Sequence, residues 1–203
     1  MFSRLIHINR VILSSGNGAG YNEKENLFDI GLGSSAVNNK LPKQIISNLA
    51  LYLSANGLIV ITLPDFGITK ALDYINRTGD AYTDWAIEIV KTRNCSYDPS
   101  SMYKRLELFY HPISKENKDI ASELTADLIH SGANPSSKIK PDTESYQGTL
   151  SWIRKPKMLS HIIEADFSKE SDYEELVDFY SQSIASAICK ALDIRFTYDI
   201  LRA

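Results

Sequence analysis

Cysteine is scarce in this chain. Cys95 and Cys189 lie far apart and neither belongs to a C-x-x-C pair, so neither a disulfide framework nor a thiolate zinc knuckle is visible. A basic excess is missing too. With a formal net charge of −3 and a pI near 5.8, a nucleic-acid partner finds no electrostatic support. No apolar run approaches the ~20 residues needed to span a bilayer, and no small-residue cleavage site follows Met1-Phe2-Ser3-Arg4, so no export signal is expected. The glycine turn Ser14 to Gly20 lacks both the Lys-Ser/Thr of a phosphate loop and the full G-x-G-x-x-G order, which speaks against nucleotide binding. None of Ser14, Ser15 and Ser160 sits in a G-x-S-x-G elbow, which speaks against a serine hydrolase.

What is present is an alternation of apolar runs and amphipathic stretches. At 203 residues, 43% of them hydrophobic, one globular domain with a full core is expected over 1–203. Strands are expected at Leu5–Leu13, Leu58–Leu63, Ile87–Val90, Leu106–Tyr110 and Leu159–Ile163. Helices are expected at Asn38–Asn56, with Pro42 near its first turn and Gly57 past its end, at Thr69–Trp85, at Ser114–His130 with Ser114 as N-cap, and at Ser171–Leu192. The pattern predicts an α/β fold, a central mostly parallel twisted sheet of about six strands flanked by helices. Asn134–Gln147, rich in Ser, Pro, Lys and Asp, is expected to form a variable or flexible loop.

The stretch Ser160-His161-Ile162-Ile163-Glu164-Ala165-Asp166-Phe167 places a carboxylate at the end of an apolar strand. Beside Ile162 and Ile163 it needs a cation, a hydrogen-bond donor or water to meet its charge. Four histidines are available: His7 on the first expected strand, His111 after the Tyr110 strand, His130 at a helix end, and His161. No two share an H-x-x-x-H or H-x-H spacing. His161, three residues before Glu164, is expected on the opposite face of the same strand.

The order of these elements resembles the zinc-dependent N-acetylmuramoyl-L-alanine amidases, over nearly the whole chain. Where that family has D-P-G-H-G-G after its first strand, this chain has Ser14-Ser15-Gly16-Asn17-Gly18-Ala19. The family's glutamate at the start of the first long helix, counted back from Gly57, falls on Asn38. Its helix arginine is matched by Arg77, and its S-I-H-x-N-A strand end by Val90 to Ser96. Its G-x-E-x-x-Y strand looks like Leu106 to Tyr110. The closing V-E-x-G-F-x-S-N-x-x-E-x-x-L signature is similar to Ile163-Glu164-Ala165-Asp166-Phe167-Ser168 and Tyr173-Glu174-Glu175-Leu176.

The resemblance implies a zinc ion held by two histidines and a glutamate, with a second glutamate as general base. It puts the base at Glu164 and the ligand positions at Asn17, Asn38 and Arg93, with Arg77, Asn94 and Arg154 as cleft candidates. Neutral amides are weak zinc ligands and a guanidinium binds no cation, so no zinc or other cofactor is expected. Asn17 is equally explained as a turn former and Asn38 as a helix N-cap; Arg93 either pairs with Glu164 or sits on a surface loop.

The expected function is therefore a degenerate, non-catalytic amidase-like module, a pseudoenzyme that binds peptidoglycan or a protein partner, or has a structural or regulatory role. Two alternatives stay open: an active cell-wall amidase with a relocated metal site, and a structural subunit of a phage or secretion assembly. A cytoplasmic or particle-associated protein, or the trimmed form of a cell-wall protein, would each fit.

Overall fold

The computed structural model describes residues 7–15, 21–22, 27–28, 40–64, 67–91, 104–145, 148–165 and 173–197. They form one α/β unit. A six-stranded sheet contains β1 (Arg10–Ser15), β4 (Ile59–Thr62), β5 (Asp84–Lys91), β6 (Leu106–Tyr110), β7 (Lys138–Pro141) and β8 (Leu159–Ala165), in the order β4-β1-β5-β8-β6-β7. β4, β1, β5 and β8 run parallel; β6 runs against β8, and β7 runs with β6. The short pair β2 (Tyr21–Asn22) and β3 (Leu27–Phe28) stands apart.

Three helices, α1 (Lys40–Ala55), α3 (Lys115–His130) and α5 (Tyr173–Ala191), cover one face over Val11, Leu13, Ile87, Ile89, Leu108 and Ile163. On the other face, α2 (Ile68–Thr78) and the single turn α4 (Ser151–Arg154) lie over Ile12, Ala86, Val90, Phe109 and Ile162. The inner strands are thus apolar on both faces, as a sheet buried between helical layers requires.

The helix ends follow local chemistry. α1 stops where Gly57 turns to φ +91; the Gly57 N–H reaches the Ser54 carbonyl at 3.0 Å and Leu58 N–H reaches Leu53 at 3.1 Å. That bond pair closes a helix on a left-handed glycine. Ser114 Oγ accepts the Asn117 N–H at 3.1 Å, the expected N-cap of α3.

Several expected boundaries move. The first strand begins at Arg10, not Leu5, and His7 lies in a turn before it. The helix expected over Thr69–Trp85 ends at Thr78, where the Gly79 N–H still bonds the Ile75 carbonyl but the chain then turns extended; Trp85 belongs to β5. The stretch expected as a variable loop, 134–147, contains edge strand β7 and the fully buried Asp142.

Gly79 closes a tight corner at the amino ends of the strands. The Asp84 carboxylate, wholly buried, accepts Arg10 Nε at 2.8 Å and the Asp80 N–H at 2.6 Å, with a second guanidinium contact. A Cβ on Gly79 would stand 2.3 Å from Met158 Cε, 2.5 Å from the Ile75 carbonyl oxygen and 3.1 Å from Asp84 Oδ2. The methionine can yield but the carbonyl of the last turn cannot. Gly79→Ala is therefore expected to lower unfolding free energy by about 2–3 kcal/mol, measured by urea titration.

Candidate functional site

Glu164 occupies the penultimate position of β8, half-buried, beside Val90 on β5 and directly opposite Glu107 on β6. By strand alternation it shares a face with Ile162, the face beneath α2 and α4. β1, β5 and β8 end side by side here, at Ser15, Lys91 and Ala165. Carboxyl ends of parallel strands are where α/β proteins usually bind ligands.

The same face carries a polar row across four strands. Ser14 on β1 is the register partner of Glu88 on β5, and Glu88 lies two positions below Val90. Strand geometry sets the Cβ atoms of Glu88 and Glu164 on the order of 8 Å apart. Glu107 is held by two cations, Arg105 at 2.5 Å and Lys140 at 2.7 Å, so its charge is met despite facing Glu164.

Glu88 is different. It is 4% exposed, and no hydrogen bond or ion pair reaches it among the described residues. Desolvation alone raises its pKa to about 8, so at neutral pH it is an uncharged acid. Sequence reasoning missed it, although a carboxylate inside the apolar run Ile87-Glu88-Ile89 is itself the signal.

The histidines go elsewhere. His161 is fully buried on the opposite face, as its spacing from Glu164 implied. Its Nδ1 accepts Trp85 Nε1 at 3.0 Å, and Nε2 lies 3.1 Å from the Asn117 carbonyl, to which it must donate. Burial lowers its pKa to about 4, against the pull of that carbonyl, so it is neutral and fully committed. His7 is exposed before β1; His111 follows β6 at the far end of the sheet, with Nδ1 accepting the Ile113 N–H at 3.2 Å; and His130 is exposed at the end of α3 on the other face.

Two cleft candidates also leave the site. α2 carries its last turn to the amino ends of the strands, where the Thr78 carbonyl accepts from Arg10. Arg77 there is 71% exposed and 3.7 Å from Asp73. Arg154 lies before the start of β8 and clamps buried Asp142, Nε at 2.5 Å and a second nitrogen at 2.7 Å. It is a structural group. Asn17, Asn38, Arg93 and Asn94 lie outside the described residues.

No protein-family profile and no curated protein sequence matches the chain, but solved structures do. It is similar to the N-acetylmuramoyl-L-alanine amidase AmiC2 of Nostoc punctiforme, at 16% identity and TM-score 0.63 over 92% of this chain and 98% of that one. The fold is that of the N-acetylmuramoyl-L-alanine amidases. Ami1 from Mycobacterium smegmatis superposes at TM-score 0.65 and 14% identity, over 91% of this chain and 96% of that one. The CwlD amidase from Clostridioides difficile, solved in complex with the GerS lipoprotein, gives TM-score 0.59 and 17% identity, over 91% and 98%.

Among the described residues no group of three or more His, Cys, Asp or Glu is arranged to hold a metal ion. All four histidines of the sequence are described, and none stands on the face and at the end where Glu164 stands. In this amidase-fold chain the strand ends present instead a half-buried carboxylate, a neutral buried acid and a carboxylate locked between two cations.

Proposed function

We propose that this chain is an amidase-fold binding module, a pseudoenzyme that engages cell-wall peptidoglycan through the strand ends around Glu164 without zinc-dependent hydrolysis. The observation that carries this reading is the distribution of the histidines. A hydrolytic zinc site needs neutral imidazoles around an open coordination position, and the only buried imidazole here is spent holding Trp85 and α3 on the far face. Replacement of the ligand positions by Asn17, Asn38 and Arg93 supports the same reading, as does retention of Glu164. A protein partner is a further possible occupant of such a module. One neighbour of this fold is itself solved with a lipoprotein.

The test is incubation with Zn²⁺ and purified peptidoglycan sacculi. The expected result is co-sedimentation with the sacculi, without stoichiometric zinc uptake and without release of soluble peptides. Stoichiometric zinc together with peptide release would refute the proposal. It would leave the active-amidase reading, on which Glu164→Gln abolishes cleavage because the general base is gone.

A further inference from the structure

We infer that the outer edge of β4 is an interface with a second copy of this chain, joined edge to edge about a two-fold axis at Ile61. This goes beyond the wall-binding reading and does not depend on it. β4 ends the sheet, and among the described residues β1 is the only strand beside it. Ile59 N–H bonds the Asn9 carbonyl at 3.0 Å and Leu63 N–H bonds the Leu13 carbonyl at 2.8 Å. The alternate residues, Val60 and Thr62, therefore turn their N–H and C=O groups away from β1. Such an edge is a template for a further strand.

The two edges of the sheet are built differently. The far one, β7, reads Lys138-Ile139-Lys140-Pro141, and lysine and proline are what natural sheets use to refuse another strand. β4 reads Ile59-Val60-Ile61-Thr62 and has neither. Its surroundings are equally bare of charge: in a chain with 23% charged residues, 44–64 holds none. The exposed positions in that stretch include Ser47, Leu51, Ser54 and Ala55 on α1, which packs on β4, and Ile59 and Thr62 on β4 itself. The outer face of α3, by contrast, carries Lys115, Glu116 and Lys118. Leu51 is 53% and Ile59 58% exposed, both large apolar side chains. Loss of charge together with exposed apolar groups marks the centre of an interface.

The occupant that fits is the chain itself. A surface without charge gives an acidic or basic partner nothing to pair with, and it sets up no repulsion against its own copy. The backbone is self-complementary as well. In antiparallel pairing centred on Ile61, Val60 lies opposite the partner's Thr62, and the two residues exchange both N–H···O bonds; the axis repeats the pair on the other side. The same axis, normal to the sheet, brings α1 beside its counterpart. That second contact is needed, because four strand residues fall well short of the roughly 800 Å² per partner that stable interfaces bury. With it, a dissociation constant of about 10–100 µM is expected.

The test is sedimentation equilibrium of the full chain from about 1 to about 300 µM, with amide hydrogen exchange at both ends of that range. The mass should rise from 22.8 kDa toward twice that value. The Val60 and Thr62 amides should exchange at least about tenfold more slowly at the top concentration. Thr62→Pro removes an outward N–H that the ladder to β1 does not use, at a kind of position where edge strands accept proline. It should keep the parent's urea midpoint at low concentration and stay monomeric. Ile59→Lys, at an exposed side chain, should likewise hold the mass down, and it carries the test if the proline variant does not fold. A parent chain that stays monomeric throughout would overturn the inference. So would a dimer in which Val60 and Thr62 exchange as they do in the monomer, or one that a folded variant of either kind leaves unchanged.

Discussion

Glu88→Gln is expected to make the protein more stable at about pH 8, by roughly 3–4 kcal/mol, while the two proteins converge near pH 4.5. The sign follows from where the proton sits. The unfolded chain gives up the Glu88 proton around pH 4.5, but burial keeps it on the folded protein to about pH 8. The folded state therefore holds more protons between these values. Stability is full below the lower one and is lost as pH rises through the upper one. Glutamine keeps the shape and cannot ionise, so it removes this loss. Urea titrations of both proteins across the range would measure it, and an absence of gain at pH 8 would mean that Glu88 meets a compensating charge in the folded protein.

His161 bends the profile the other way. Its folded pKa is lowered to about 4 from 6.5, so the unfolded chain binds the extra proton and stability falls as pH drops from about 6.5 toward 4. The two slopes nearly cancel between about 4.5 and 6.5. The parent protein should thus show a plateau there, with decline on the alkaline side governed by Glu88.

Arg154→Ala is the second substitution with a large expected effect. It strips both guanidinium bonds from Asp142, which is 0% exposed, and leaves, among the described residues, the Leu150 N–H at 3.2 Å. Uncovering a buried charge in this way costs about 3–5 kcal/mol; because the Arg154 side chain is itself 28% exposed, about 3 kcal/mol is the better figure. The control is Arg77→Ala, whose exposed pair with Asp73 contributes less than about 1 kcal/mol. If Arg154 served a ligand instead of the fold, the variant would keep its urea midpoint and lose binding.

The long helices were legible because their signals are local. A serine cap, a proline in the first turn and a glycine beyond the end each act through neighbouring backbone atoms. The end of α2 was not, because apolar spacing runs on through Gly79 toward Trp85; the chain turns extended at that glycine, where a side chain would meet Met158 and Asp84, neighbours no local pattern reports. β7 was obscured by polar composition, since an edge strand has one half-exposed side. Glu164 was readable from the apolar run it terminates. Arg77 and Arg154 could not be excluded from its vicinity in advance, because the end of the sheet at which a loop lies depends on strand order and direction. Glu88 was passed over because Ile87-Glu88-Ile89 alternates like a strand with one wet face, and only the layer of α2 and α4 shows that this face is buried.

The position of β8 has a consequence for assembly. The strand between β5 and β6 is the last of the sheet to be made, although it is the one that joins the two halves. On the ribosome, β4-β1-β5 and β6-β7 each wait with an open inner edge until residue 165 has emerged. Such distant pairing is slow and leaves sticky strand margins in the meantime, so the sheet closes only once β8 has been made, and chaperone cover would matter most before then.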